Sequence, residues 1–530
     1  MKSIDVGISS FRKLIEDNNI YVDKTDIIYN LMTSGSTYFF CSRPRRFGKT
    51  LAISTLEAIF KGKKDLFKGL KIYEKDYDWK EYPVIHIDLS SFDATTPKEL
   101  KNALFDTIDD IASEYGIIVK KSSDLGVYFK RTIQELAMAK GNVVILVDEY
   151  DNILSNNINN PKVEALREVL KVFFSVIKAQ SEYVKFVFIT GVTKFAKVSI
   201  FSSMNNLNDI SMDKEYATLF GYTDEELGLY FAEYIENGLK ASGMSREEYM
   251  SKLANKYDGY RFSPESDVAV YNPVSIGLFF SKGGENFNNY WIDTGNMKLL
   301  MDVAKKVRFD ISKDVARVID KDNITTFDIL AMASNDIDSA SYRSLLLQSG
   351  YLTIKGVDED NKNLLLLDFP NDEVATAYSK NILALYGGRT SASSFSELKI
   401  DKCFADGRLK DAIDRLKSIY EALPYDISKN ADELYYSSIF FSSMKALGAE
   451  IGSEIETKNG RVDAILKTEK HIYVFEFKRD QSADIALKQI HDKGYAKQFD
   501  VVRKTKTVHL VGINFSSKEK NITEYKEEIL

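Results

Sequence analysis

Short apolar runs alternate with stretches of helical spacing through the first 200 or so positions of the chain. Tyr38-Phe39-Phe40-Cys41 predicts a strand, and the segment from Thr50 to Lys61 reads as a helix. Val84 to Leu89 predicts a second strand. Pro97 to Glu114 has Leu100, Leu104 and Ile108 four apart, the stripe of a helix packed on a core. Val143-Val144-Ile145-Leu146-Val147 is a continuous apolar run, as expected of a strand buried on both faces. Val163 to Lys178 is helical again, and Phe186 to Ile189 predicts a fourth buried strand. Strands alternating with helices imply a parallel sheet with helical crossovers.

The pattern then changes. From about Tyr222 to Tyr260 it is helical and acidic, opened by Thr223 and Glu226 in capping-box spacing. Leu345 to Ser349 reads as the end of a helix that stops at Gly350, and the chain enters a strand through Ile354. A second strand, Leu364 to Asp368, precedes Phe369-Pro370-Asn371-Asp372, and this order suits a small winged-helix module. Gly387 to Ser394 is the best linker candidate; long helices and then strands follow it. The expected organisation is 1–220, a nucleotide-type α/β domain; 221–300, a helical lid; 301–388, a winged-helix-like module; and 389–530, a second α/β domain.

Composition narrows the function. With 530 residues the chain has room for about three or four domains at roughly 100–200 residues each. Its 71 basic and 78 acidic side chains give a net charge of −7, which excludes a globally basic coat for nucleic acid but not a local basic groove. No apolar run approaches membrane-spanning length, and Met1 to Asp5 lacks a secretory pattern, so a cytoplasmic location without membrane association is expected. Cys41 and Cys403 cannot build a disulfide framework, and the four histidines have no metal-binding spacing.

Two stretches carry chemistry. Arg43-Pro44-Arg45-Arg46-Phe47-Gly48-Lys49-Thr50 joins the first strand to the first helix and matches the phosphate-loop pattern G-x-x-x-x-G-K-[ST], with Arg43 at the first glycine. Gly48 lets backbone N–H groups approach phosphate, Lys49 adds charge at the β/γ-phosphates, and Thr50 can ligate Mg²⁺ at the helix N-terminus. Arg43, Arg45 and Arg46 would add three positive charges to the loop. The strand Val143–Val147 runs into Asp148-Glu149, a Walker B arrangement in which Asp148 holds Mg²⁺ and Glu149 polarises water. Thr190, at the end of the next strand, could sense the γ-phosphate. The cofactor expected here is ATP with Mg²⁺, and a site that binds without hydrolysing is the alternative.

Near the C-terminus, Asp463 sits beside a strand candidate, and Glu476 and Lys478 share one face of the strand His471 to Lys478. Two acids on apolar strands are costly unless a cation joins them, and Mg²⁺ between Asp463 and Glu476 answers that. Lys478 could then orient or deprotonate the attacking water and stabilise the pentacovalent phosphate. This D-x(12)-E-x-K spacing is the PD-(D/E)XK nuclease signature. Gln489, on the following helix, matches the glutamine that follows this core in many such enzymes, and Glu433 upstream stands where a further acidic ligand is expected. Lys470 to Lys506 holds nine Lys/Arg against five Asp/Glu, which suits a phosphate-backbone groove.

Together these stretches, with Tyr21-Val22-Asp23-Lys24-Thr25, Tyr257 to Ser263, Tyr271-Asn272-Pro273 and Pro370 to Val374, resemble the bacterial AAA-ATPase-like family joined to a C-terminal PD-(D/E)XK nuclease domain. The resemblance covers nearly the whole chain and makes the missing glycine a family trait. It implies an α/β multidomain fold: a P-loop NTPase sheet of the ASCE/AAA-like type, a helical lid, a winged-helix-like module and a restriction-endonuclease-like C-terminal domain. Tyr21 to Lys24 could line an adenine pocket or anchor the core. Arg261, in the turn Tyr257–Phe262, could reach a nucleotide or simply pack, and the winged helix could touch DNA or join domains. The function this suggests is ATP-gated, Mg²⁺-dependent cleavage or processing of nucleic acid, DNA before RNA. The alternative is an ATP-controlled, nucleic-acid-binding switch or scaffold in phage defence or mobile-element control, without cutting. Homo-oligomerisation is left open.

Overall fold

A computed structural model of the chain describes residues 1–194, 200–201, 206–291, 319–320, 339–361, 363–386, 399–421, 433–447, 449–457 and 460–530. These residues fall into two compact units, one ending at Asn371 and the other beginning at Asp372. The linker candidate Gly387–Ser394 lies outside the described residues.

The first unit is built on β1 (Tyr38–Ser42), β2 (Val84–Asp88), β3 (Val143–Asp148), β4 (Val184–Gly191) and the short β5 (Asn208–Asp209). They lie in the order β2-β3-β4-β1-β5, every pairing parallel. All residues of β1 and β3 are buried, the outcome expected when helices cover both faces of a parallel sheet. The helices start on strong local signals. Thr96 and Glu99 form a reciprocal capping box with Pro97 in the first turn, and Thr223 with Glu226 forms another. The sheet order puts β4 between β1 and β3, so the loop after β1 and the acidic turn after β3 emerge at one edge with the end of β4 between them.

Helices Asp224–Tyr230, Ala232–Ser242, Arg246–Tyr257 and Pro273–Ser281 gather around a separate aromatic core that includes Phe231, Tyr249, Tyr257, Phe279 and Phe280. Helix Ser339–Ser349 leads into the hairpin β7 (Thr353–Val357) and β8 (Leu364–Asp368), with β6 (Ile319–Asp320) antiparallel to β8. This is the helix–strand–turn–strand order read in the sequence.

The second unit holds β9 (Glu450–Thr457), β10 (Gly460–Lys467), β11 (His471–Arg479), β12 (Thr507–Ser516) and β13 (Asn521–Ile529). They form a mixed sheet in that order, antiparallel except for β11 against β12. Alternation along β11 divides its side chains between two cores. Tyr473, Phe475 and Phe477 pack with Phe404, Leu416 and Phe440 from helices Ile400–Ala405, Leu409–Glu421 and Glu433–Ala446. Ile472 and Val474 pack with Val462, Ile490, Val508 and Leu510 under helix Ala483–Lys493. That helix rests directly on the sheet backbone, because a Cβ added to Gly512 would sit 2.3 Å from the Ala483 carbonyl oxygen.

Candidate functional site

The loop after β1 begins with Arg43, whose N–H donates to the Gly191 carbonyl and so extends the β1–β4 ladder into the loop. Gly48 caps the helix Lys49–Phe60 at φ +90°, a left-handed turn that favours glycine. The tight stretch thus lies late in the loop, where the sequence has glycine. It does not lie at Arg43.

Arg43 does not add its charge to the loop's outer surface, as the sequence reading expected. It is 2% exposed and lies among aromatic rings. Its guanidinium donates to the carbonyls of Ser42 (2.9 Å), Ser211 (2.6 Å) and Tyr216 (3.2 Å) and stands 4.3 Å from the Phe262 ring centroid. Burial lowers its pKa. Satisfied acceptors and an aromatic face make such a buried cation tolerable. Arg43 is therefore a strut between β1 and the 211–216 segment. Arg46 is exposed and Arg45 half-buried, and the buried Nε of Arg45 has no hydrogen-bond partner. Phe47 is buried edge-on against Tyr260 (4.8 Å) and Phe262 (5.2 Å).

The polar heart of the first unit is a chain of short hydrogen bonds across three strand ends. Thr50 Oγ1 donates to Asp148 Oδ2 at 2.6 Å, although the two residues are 98 positions apart. Asp148 Oδ1 accepts from the Thr190 hydroxyl and, at 3.0 Å, from the Glu149 N–H. Glu149 itself adopts φ +49°, an uncommon conformation for a residue with a side chain. Burial raises its pKa, with Lys49 and Arg45 pulling the other way. Lys49 is buried, and its Nζ donates to the carbonyls of Arg43 and Pro44, both at 3.1 Å. Burial lowers its pKa, opposed by Glu149, Asp148 and Asp151.

Beside this loop opens a cleft of about 290 Å³. Arg46, Phe47, Gly48, Lys49, Thr50 and Glu149 line its polar end. Val6, Ile8, Val22, Phe220, Tyr222 and Val274 line its apolar end. A buried ammonium and a helix N-terminus beside these apolar side chains fit an anionic ligand with an attached apolar body. The adjoining hydroxyl and carboxylate of Thr50 and Asp148 are hard oxygen donors of the kind Mg²⁺ takes.

Tyr21 to Lys24 anchors the core and borders the cleft. Tyr21, Val22 and Lys24 line the cleft. Asp23 anchors the fold through Thr25 and the Lys71 N–H, and Lys24 pairs with Glu226 at 2.6 Å. Arg261 does not extend toward the cleft; it donates to the carbonyls of Ser263, Lys355 and Pro264, so that turn packs. Sequence reading overlooked Asp151, which is buried and accepts from Val192 N–H, Thr193 N–H and Thr193 Oγ1. The signal available was a third acid three residues after Asp148.

In the second unit, β10 and β11 pair from Lys467 opposite Ile472 to Ala464 opposite Phe475, and Asp463 stands just beyond the end of that ladder. Asp463 Oδ2 accepts from the Phe477 N–H at 2.7 Å, so this carboxylate is held within one residue of Glu476. Glu476 is 1% exposed, and the Lys478 ammonium contacts its Oε1 at 3.3 Å and the Phe477 carbonyl at 2.7 Å. Glu476, Lys478 and Val474 alternate to the face covered by helix Ala483–Lys493. Gln489 lies half-buried on that helix. Glu433 opens the helix Glu433–Ala446, and its side chain lies outside what the structure describes. Among the described residues no cluster of three or more His, Cys, Asp or Glu comes together as a metal cage. The Glu476 carboxylate and the Phe477 carbonyl that meet the Lys478 ammonium, with the Asp463 carboxylate one residue away on the Phe477 N–H, are hard oxygens of the kind a divalent ion takes.

The chain matches the family model of predicted AAA-ATPases over residues 5–201 and the PD-(D/E)XK nuclease superfamily over residues 431–525. It is 31% identical over 543 residues to an uncharacterized protein in the vnfD 5′ region of Azotobacter chroococcum mcd 1, spanning 100% of this chain and 99% of that one. Among solved structures it aligns with the Aeropyrum pernix ORC1 protein in complex with DNA at 12% identity and a TM-score of 0.26, over 70% of this chain and 91% of that chain. The Aeropyrum pernix ORC2 protein (ADPNP–ADP complexes) aligns at 11% identity and a TM-score of 0.29, over 70% and 98%.

Proposed function

We propose, for a chain that belongs to the family of predicted AAA-ATPases carrying a PD-(D/E)XK nuclease superfamily domain, that the first unit binds and hydrolyses ATP and that the second cuts nucleic acid under control of that nucleotide. The observation that carries the first half is the Thr50–Asp148–Thr190 hydrogen-bond chain, which joins a phosphate-type loop to an acidic strand end. Mg²⁺ held by Thr50 and Asp148 would neutralise phosphate charge. Lys49 turns its ammonium from the loop carbonyls to the phosphates. Glu149, its carboxyl raised by burial, accepts a proton from water more readily than an exposed glutamate would. Thr190 holds Asp148 in place.

In the second unit Asp463 and Glu476 would hold Mg²⁺, which supplies Lewis acidity at the scissile phosphate. Lys478 lies against Glu476 and can orient water or stabilise the phosphorane's negative charge. Gln489, on the helix that covers this face of the sheet, would position the substrate backbone. DNA, with RNA as the second candidate, is the expected polymer.

Phosphate release and plasmid cleavage test the two halves. Wild type with Mg²⁺ should release phosphate, and Glu149→Gln should lower turnover by roughly 10²–10⁴ while retaining ATP. Plasmid should be cut only by protein with Asp463 intact, at a rate that changes with ATP. Undiminished cutting by Asp463→Ala removes the second centre, and equal phosphate release by Glu149→Gln removes the first.

A further inference from the structure

Helix Ser339–Ser349 ends against two parts of the nucleotide centre at once. Gln348 is buried near the helix end, and its Oε1 accepts from the Lys194 N–H at 2.5 Å. Its Nε2 donates to Ser344 Oγ, one turn back, at 2.8 Å. Each end of the amide therefore has the partner its chemistry requires, and flipping it would set donor against donor. Two residues on, Gly350 turns at φ +85°, and a Cβ there would lie 2.7 Å from Pro44 Cβ. Pro44 is the loop residue whose carbonyl accepts from Lys49.

Lys194 is equally well placed. It follows Thr193, which Asp151 grips through both N–H and hydroxyl. Thr190, at the end of the same strand, holds Asp148. The Lys194 ammonium pairs with Asp209 at 3.0 Å, and Asp209 accepts from Ser211, whose carbonyl takes Arg43. One helix end thus meets the phosphate loop at Pro44 and the strand-end segment at Lys194.

We infer that Gln348 is a positioning residue of the nucleotide centre, and that through it the module from Ser339 to Asp368 responds to phosphate occupancy. This rests on the nucleotide reading above. When Lys49 leaves the Pro44 carbonyl for a phosphate, the loop against Gly350 must readjust, and the Gln348–Lys194 bond carries that change between loop, strand end and helix. Loop and strand end then move as a unit because one buried amide and one close-packed glycine tie them.

Hydrogen exchange of the full chain with and without ATP, alongside phosphate release, tests this. ATP should slow exchange over residues 43–50 and also over 190–194 and 346–354 by roughly tenfold, the scale of one hydrogen bond's net worth. Gln348→Leu should keep the protection at 43–50, lose the response at 346–354, and lower kcat by about tenfold with KM within about threefold. Gln348→Glu keeps the acceptor for Lys194 and can accept from the Ser344 hydroxyl, so it should restore both. Protection at 43–50 with no change at 346–354 in the wild type overturns the inference and leaves the nucleotide reading intact, as does a Gln348→Leu protein that behaves like wild type. Absence of protection at 43–50 with millimolar ATP ends the nucleotide reading, and the inference falls with it.

Discussion

Arg43→Gly restores the glycine of the ordinary phosphate-loop pattern and should damage the protein. The guanidinium satisfies the carbonyls of Ser211 and Tyr216, both distant in sequence, and lies over Phe262. Removing it takes the partner from the buried Ser211 carbonyl, while the Tyr216 carbonyl keeps the Leu219 N–H, so the loss is roughly 1–3 kcal/mol before any cavity forms. The added glycine widens the unfolded ensemble and contributes in the same direction. At about 2 °C per kcal/mol for a unit of this size, the first melting transition should fall by roughly 2–6 °C. Arg43→Lys should recover only part, because an ammonium cannot serve separated carbonyls and a ring face together. Thermal melting followed by circular dichroism, with ATP affinity measured well below the transition, separates the alternatives. Arg43 does not line the cleft, so affinity should stay within about threefold, a difference of under 1 kcal/mol. A variant that melts within a degree of wild type while losing ATP would show that the guanidinium serves phosphate, and the strut argument would be wrong.

Other perturbations probe separate points. Glu476→Gln removes the counter-charge of the Lys478 ammonium, so it should abolish Mn²⁺ binding by calorimetry and lower the melting temperature as well. Thr50→Val keeps the shape of the side chain but removes the donor to Asp148; Mg²⁺-dependent ATP binding should weaken at least tenfold, with binding of metal-free ATP little changed, read by fluorescence titration. Asp258 is pushed up to about 6 by burial, reinforced by Asp224 and opposed by the Gly259 N–H and Lys355, and its Oδ1 has no partner. A raised carboxyl pKa contributes stability below about pH 4 that is lost as pH rises through about 6. Asp258→Asn should therefore exceed wild type by about 3 kcal/mol above pH ~7 and match it near pH ~4, which urea midpoints across that range would check.

The fold was legible where burial dictates residue type. Val143–Val147 must be apolar throughout because helices cover both faces of its sheet, and β4 beside it (Lys185 aside) and β1 beyond follow the same rule. Capping residues such as Thr96 with Glu99 act within one turn, so they can be read locally. What stayed hidden depends on partners far along the chain. Arg43 looks like a phosphate ligand until Phe262 and the 211–216 carbonyls are beside it. Lys24 finds Glu226 across 202 positions, and Gln348 finds Lys194 across 154, with no periodicity to announce either contact.

The placement of Glu476 beside Lys478 was readable from the sequence, and strand geometry explains why. A two-residue period sets Glu476 and Lys478 on one face whatever the partner strand does. A hairpin of fixed register then decides whether Asp463 can join them. The ladder runs up to Ala464 opposite Phe475, so Asp463, next along β10, stands beside the Glu476 end of β11. A slip of one residue would send Asp463 to the face held by Phe475 and Phe477. The Asp463 carboxylate guards against that slip by taking the Phe477 N–H itself, in place of a backbone carbonyl. The acid that would bind metal therefore also holds the register that brings it to the metal. Asp463→Asn retains an acceptor for Phe477 and separates the two roles: metal binding should be lost while the hairpin's amide protection persists. Asp463→Leu should lose both, and an Asp463→Leu hairpin protected like wild type would show that the register does not depend on this side chain.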